Sequence, residues 1–529
     1  MEKLLGSRKN ETVSKEILSG AFSLSFSTII VKILGLIYKI PLAGILGDEG
    51  MGFFNSAYTV YSFFYLLSTA GVPKAVMILV SEAKAQGNGS LEKRILSVSF
   101  RLFLIIGSLL CLVFIIFASP LSSLIGNNKS AATMIAIAPS IVITSLAGVI
   151  RGYLSADMCM LNIAVSQIIE GVGKLVCGLA LGIMSSKVGM PLEFVSAFTI
   201  LGVSIGAFAG FAYLLLSSKI KISREKSGQN ERSFKIEKRI VSISLPITIS
   251  AGAMSLTNII DLGMIMRSLS SLGYTESEAS ALYGNYTTLA VPMLNLAMAI
   301  ITPISTAFLP SLTKLYIRSD KAGERELVNN FVTVTMLIAA PLTLGMIVYS
   351  REILDILFPM NDTVIGGSLL CLLAPSIIFS SLLLVTNTAL EAQGKVKAPI
   401  YSMLVGAAFK VILSYFLIRN PEIGISGAPI GTVVSYATAL IVSSFLNIKY
   451  RGPCAGFLSN SVLFLTFASG SVFISRLLYN SLVQSFGELL TFVAAVFLCA
   501  ALYFMLVFLY FYIRKKEQEK IAKYTKLTC

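Results

Sequence analysis

The chain has 529 residues, 55 % of them hydrophobic and only 13 % charged, with a mean hydropathy of +0.82. Soluble globular proteins carry roughly 25 % charged residues, so this composition excludes a soluble enzyme or binding module and indicates an all-α polytopic membrane protein. The formal charge of +15 would suggest nucleic acid in a soluble chain; here the placement of the charges gives topology instead, and no nucleic-acid partner is expected.

A helix needs about 20 apolar residues to cross the hydrocarbon layer. Cutting the sequence by that length and at polar or Gly/Pro turns predicts fourteen transmembrane helices, at 17–46, 53–80, 95–118, 131–154, 160–185, 192–216, 239–270, 281–312, 328–349, 366–391, 397–418, 425–447, 459–480 and 488–513. The first sixteen residues are largely polar, and the apolar run after them exceeds the ~7–15 residues of a signal-peptide core, so it is expected to stay as the first helix.

Most of the 42 Lys and Arg residues fall in or beside the segments on one side of the membrane. The opposite loops hold only Lys129, Lys187, Arg351 and Arg419, and carry acids such as Asp48, Glu49, Glu276 and Glu278. By the positive-inside rule both termini are cytoplasmic, in a multi-pass protein of a bacterial plasma membrane. The resulting organisation is an N-terminal six-helix lobe (1–216), a basic cytoplasmic linker (217–238) and a C-terminal six-helix lobe (239–447). Two extra transmembrane helices (448–513) and a basic cytoplasmic tail (514–529), suited to anionic lipid headgroups, complete it.

The halves resemble each other. APSIVITSLAG (138–148) recurs as APSIIFSSLLL (374–384), and the same offset lays Lys174 on Lys410. Pro73 pairs with Pro303, and KEILS (15–19) resembles KRIVS (238–242). Six spans per repeat is an even number, so the two repeats run the same way through the membrane, a design found in transporters that hold substrate between their halves. Prolines at 41, 73, 139, 246, 292, 303, 375 and 429 lie in or near the spans and permit kinks where neighbours satisfy the freed carbonyl.

A charge at the bilayer centre costs from about 2.5 to more than 10 kcal/mol, so such residues face a cavity or a partner. The candidates for substrate binding are Lys32, Lys39, Lys74, Lys174, Arg267 and Lys410; Asp261 and Glu170 are the candidates for ion coupling or charge pairing. Lys32 and Lys39 are two turns apart on one helix face, about 10.5 Å along the axis. Glu170 stands four residues before Lys174, a spacing that also suits a plain ion pair, whereas Lys410 has Gly406 at that place. Arg101 and Arg151 lie near inner span ends and Arg476 near an outer one, where snorkelling to the interface accounts for them. The set is rich in cations, which suits a phosphate-bearing substrate rather than an organic cation.

No catalytic or metal-binding constellation is predicted. There is no histidine, and the seven cysteines (Cys111, Cys159, Cys177, Cys371, Cys454, Cys499, Cys529) include no C-x-x-C pair. No G-x-x-x-x-G-K-[ST] loop is present, so no cofactor is expected; energy is left to a Na+ or H+ gradient, the membrane potential or the substrate's own gradient.

The run LAGILGDEGMGFFNSAYTVYSFFYLLSTAGVPKAVMILVSEAKAQGN (42–88) resembles the first helix pair of bacterial polysaccharide-type flippases, with its G-x-E-G-x-G turn and S-T-x-G-x-P-x-A stretch before SE. The fourteen-span layout, the R-G-Y of RGYLSAD (151–157) and the repeated APS segments are similar to stage V sporulation protein B relatives. These belong with the MurJ-like lipid II flippases in the multidrug/oligosaccharidyl-lipid/polysaccharide exporter superfamily. The resemblance implies a V-shaped bundle of two lobes around a cationic cavity, with the last two helices guiding a lipid tail. It also implies an anionic, undecaprenyl-pyrophosphate-linked sugar as substrate, moved from the inner to the outer leaflet. Lys32, in its V-K-I-L-G context, matches a position where lipid II flippases carry arginine.

The leading expectation is therefore a flippase for a peptidoglycan precursor, lipid II or a similar lipid, with a role in spore cortex synthesis. The alternatives are export of capsular or teichoic repeat units and cation-coupled multidrug export by the same fold. A membrane-embedded glycosyltransferase is disfavoured by the short outer loops.

Overall fold

Hydrocarbon offers the backbone no water, so a spanning segment pairs its amides internally; long apolar runs become helices, and glycine and proline set their breaks. The computed structural model describes residues 2–217, 230–395, 397–451 and 457–528. Most of the expected linker at 217–238 therefore lies outside the described residues. Among the described residues the regular structure is entirely helical. Every predicted span is largely helical, with breaks inside those at 53–80, 131–154 and 366–391, and twelve helical stretches of the described residues are long and apolar enough to cross a membrane; the predicted span 239–270 is not among the twelve. The first of these, Ile30–Ala85, holds the second predicted span and residues 30–46 of the first. The chain is a multi-pass membrane protein.

Packing divides the chain into two compact units, Met1–Thr288 and Leu289–Cys529. In the first, α1 (Glu2–Thr69) bends at Gly47. Straight, its 68 residues would reach about 100 Å, three times the hydrocarbon thickness. Gly47 has φ of 61°, a left-handed conformation that a residue without Cβ adopts freely. The helix restarts as α2 (Val72–Ala85), with Pro73 in its first turn, where the missing N–H leaves no bond unmade.

Next come α3 (Gly89–Ile116), α4 (Ala118–Ile125), α5 (Ala131–Ile137), α6 (Pro139–Ala156), α7 (Met160–Lys187) and α8 (Leu192–Ser217). The unit closes with α9 (Asn230–Ser271) and α10 (Glu276–Asn285). Packing thus places α9 and α10 with the preceding helices: a Cβ on Gly71 would lie 2.6 Å from the Ser244 Cα of α9. The α10 N-terminus is closed by a capping box in which Glu278 accepts the Thr275 amide at 2.8 Å.

The second unit contains α11 (Val291–Ile317), α12 (Lys321–Val348), α13 (Ser350–Leu357), α14 (Thr363–Leu373) and α15 (Ser376–Ala392). It continues through α16 (Lys397–Ile418) and α17 (Gly427–Arg451) to α18 (Phe457–Phe486) and α19 (Glu488–Thr528). The last helix runs on into the segment expected as a tail. Both Ala-Pro-Ser segments sit at helix breaks, α5/α6 and α14/α15, where proline denies the preceding turn its amide donor.

α18 is tied to this unit by Arg476. Its guanidinium donates to Glu352 of α13 and lies 5.2 and 5.1 Å from the Tyr349 and Tyr479 ring centroids. Tyr349 and Ser475 share a hydroxyl hydrogen bond of 2.9 Å. The cation expected to snorkel at the outer end is half-buried and paired with Glu352.

Candidate functional site

A cavity of about 410 Å³ opens within the first unit, inside the ~300–1,000 Å³ typical of small-molecule sites. Its wall comes from four helices. α1 contributes Val31 and Lys32 before the Gly47 bend, and Tyr58, Tyr61, Ser62 and Tyr65 after it. α7 contributes Gln167, Glu170, Gly171 and Lys174, α6 Arg151, and α8 Val203. The α7 residues are spaced i, i+3, i+4 and i+7, which places them on one stripe of the helix.

α7 holds that stripe at the cavity because α8 packs against its backbone. A Cβ on Gly206 would stand 2.6 Å from the Lys174 amide nitrogen, and one on Gly202 3.0 Å from the Lys174 carbonyl oxygen. One turn further, Gly210 faces the Ser166 carbonyl in the same way. Glycines four apart let helices approach closely in a membrane, where dispersion rather than the hydrophobic effect joins them.

The charges are arranged as partners. Arg151 donates to the Glu170 carboxylate at 2.8 Å, with side chains 14 % and 30 % exposed. Lys174 lies 5.2 Å from the Tyr38 ring centroid and 5.0 Å from that of Tyr58. Aromatic faces attract a desolvated ammonium without neutralising it. With Lys32, the cavity carries, among the described residues, three cationic side chains against one carboxylate. That balance can hold an anion with more than one negative charge.

Among the expected site residues, the cavity brings together Lys32, Lys174 and Glu170. It adds Arg151, read from sequence as snorkelling. Glu170 bonds to this arginine across the helices, a partner that spacing along α7 could not reveal. Lys39 does not line the cavity; half-buried, it donates to the Thr287 carbonyl at 3.1 Å. Lys74 is exposed near the start of α2, and Arg267 is exposed on α9 beside the Gly126 turn. Asp261 is 9 % exposed on α9. Lys410 is half-buried on α16 of the second unit. Sequence reading missed the tyrosines, although their i, i+3, i+7 spacing in YTVYSFFY (58–65) was the available signal. Among the described residues no group of three or more cysteine, aspartate or glutamate side chains is placed to hold a metal ion.

A family model described as "Polysaccharide biosynthesis protein" matches residues 17–316, and a second, MatE, matches 246–416. Stage V sporulation protein B of Bacillus subtilis (strain 168) is 24 % identical over 455 residues, covering 82 % of this chain and 85 % of the relative. Lipid II flippase MurJ of the same organism is 23 % identical, covering 83 % and 84 %. Among solved structures, a lipid II flippase MurJ in an inward closed conformation superposes with a TM-score of 0.73 at 16 % identity, covering 92 % of this chain and 98 % of that one. An inward-facing multidrug resistance MATE family transporter gives 0.62 at 14 %, covering 85 % and 99 %. These superpositions establish a common fold.

Proposed function

The chain belongs to the polysaccharide biosynthesis protein family, and from that premise we propose that it is a flippase of the MurJ-like type. It moves an undecaprenyl-pyrophosphate-linked cell-wall precursor from the inner to the outer leaflet by alternating access. The observation that carries the reading is the cationic cavity, with Lys32, Arg151 and Lys174 placed against a single carboxylate. Ammonium and guanidinium groups bind phosphate oxygens through charge-assisted hydrogen bonds. Arg151 would exchange Glu170 for phosphate, and the two lysines would close on the remaining oxygens. The role is transport, without bond-making by the protein.

In the proposed membrane arrangement fourteen helices form two parallel six-helix repeats plus two C-terminal helices, with both termini cytoplasmic. Buried Asp261 is the proposed coupling-ion or charge-partner residue, and Lys39, Lys74, Arg267 and Lys410 remain proposed contacts along the substrate's path. The sporulation relative makes spore cortex precursor the favoured cargo. Capsular or teichoic repeat units are the second reading, favoured by the breadth of the family description. A drug exporter for organic cations fits the cavity poorly, since its charges have the wrong sign.

The test is rescue of cells depleted of their own lipid II flippase. The wild-type chain is expected to restore growth, and Lys32→Ala, present in the membrane at equal level, is not. No rescue by a well-expressed wild type redirects the cargo to another lipid-linked sugar. Full rescue by Lys32→Ala removes that residue from the site.

A further inference from the structure

Where α10 passes into α11 the chain forms a π-helical turn, Tyr286–Ala290, followed at once by Pro292 in the first turn of α11. The first compact unit ends inside this turn, at Thr288. In the π register each amide bonds the carbonyl five residues back, so the Val291 amide is taken by Tyr286. The amide due to the Thr287 carbonyl is that of residue 292, and proline has none. The turn lies within the predicted span 281–312, where hydrocarbon offers that carbonyl no water. Lys39 of α1 supplies the donor instead: its ammonium bonds the Thr287 carbonyl at 3.1 Å.

A second donor stands one residue further on. If the turn tightens to the α register, the Val291 amide moves to the Thr287 carbonyl four residues back, and Pro292 deprives the Thr288 carbonyl of its helix partner instead. Asn55 of α1 is already at that residue, its carboxamide donating to the Thr288 hydroxyl at 2.7 Å. The junction therefore has two registers, each with an α1 side chain for the carbonyl that proline orphans: Lys39 for the π turn, Asn55 for the α turn. The Lys39 ammonium selects between them, and it lies near the charges of the cavity. Tyr38, the preceding residue, holds its ring 5.2 Å from the Lys174 ammonium, and Lys174 is close enough to repel Lys39.

Resting on the flippase reading above, we propose that Lys39 is an anion-released latch on this turn. A phosphate oxygen holds an ammonium more tightly than a neutral carbonyl does, so a diphosphate in the cavity draws the flexible lysine stem off Thr287. The Val291 amide then moves to Thr287, Asn55 takes the Thr288 carbonyl, and the chain enters α11 in a new register. Lys39 is thus a positioning residue that reports occupancy of the cavity to the backbone.

Each change of register breaks the Val291 hydrogen bond, so amide hydrogen exchange at residues 289–293 reads the latch. The full chain in lipid nanodiscs is measured alone, with a short-chain polyprenyl diphosphate and with the neutral polyprenol, and binding is followed in parallel by titration calorimetry. In the wild type the diphosphate is expected to speed this exchange by about 10- to 100-fold, the size of a lost hydrogen bond to a charged group, and the polyprenol to leave it unchanged. Lys39→Met exchanges at the faster rate without ligand. Pro292→Ala returns an amide to residue 292, so in that background Lys39→Met changes exchange by less than about twofold. Diphosphate that binds without changing wild-type exchange, a measurement that needs no variant, overturns the latch and leaves the flippase reading standing. So does an unchanged rate in Lys39→Met, or an equal effect of that substitution with and without Pro292. If the diphosphate binds no better than the polyprenol, the flippase reading fails; the latch then has no anion to release it and falls too.

Discussion

The offset that aligns the two Ala-Pro-Ser segments also lays Lys174 on Lys410, yet the two units give these lysines different surroundings. In the first unit Lys174 lies over two tyrosine rings on a helix whose preceding turn carries Glu170, itself bonded to Arg151. In the second unit the residue one turn before Lys410 is Gly406, where a Cβ would stand 2.5 Å from the Ser435 carbonyl of α17. The same backbone position holds an ion-pairing carboxylate in one helix and a close helix contact in the other. A lysine matched by sequence is not thereby a lysine in an equivalent site.

The largest expected effect separates the two lysines directly. Lys174→Ala should weaken binding of a polyprenyl diphosphate by about 10- to 100-fold, the range of a lost charge-assisted hydrogen bond of about 1.5–3 kcal/mol. Lys410→Ala, measured in the same nanodisc assay, should cost several-fold less. Equal losses would break the comparison. The glycines come next. Gly206→Ala drives a methyl group toward the Lys174 backbone and should destabilise the protein by about 1–3 kcal/mol, read as a lowered Tm in detergent. Gly431→Ala meets mainly the Ser414 side chain, which can rotate away, so its shift should be smaller.

Glu170→Gln removes the carboxylate that, among the described residues, lines the cavity wall, and frees Arg151 for the ligand. Diphosphate affinity should rise by a few-fold at low salt, with the gain shrinking as ionic strength screens the charges. A fall in affinity would mean that the carboxylate positions Arg151 more than it competes for it. The smallest effect is expected at Lys129, whose exposed pair with Glu49 spans 3.1 Å. Lys129→Met should change stability by no more than about 1 kcal/mol. Glu352→Gln, which strips the partner from half-buried Arg476 in the second unit, should cost more in the same melting measurement.

Much of the fold was legible because the bilayer imposes a simple length rule. Each predicted span is largely helical, but three of them contain a break that the length rule did not give, at 70–71 and at the Ala-Pro pairs 138–139 and 374–375. The site was legible only in part. Lys32 and Lys174 were visible as charges within apolar runs, and both line the cavity. Arg151 was not, because its nearness to a span end gave it an ordinary explanation that only its contact with Glu170 displaces. The cavity tyrosines were hidden for the opposite reason: aromatic residues are ordinary in a membrane helix until they are seen to line a cavity.

Composition, hydropathy and charge placement thus determined by themselves that this is a helical, multi-pass membrane protein with cations inside its spans, since the cost of exposing backbone or charge to hydrocarbon acts locally along the chain. Which of those cations meet was decided by tertiary structure alone. Lys32, Arg151 and Lys174 come from three helices, and their convergence depends on how α1, α6 and α7 pack, with the glycines of α8 admitting α7 closely. Those are contacts between segments far apart in sequence, where no local periodicity reaches.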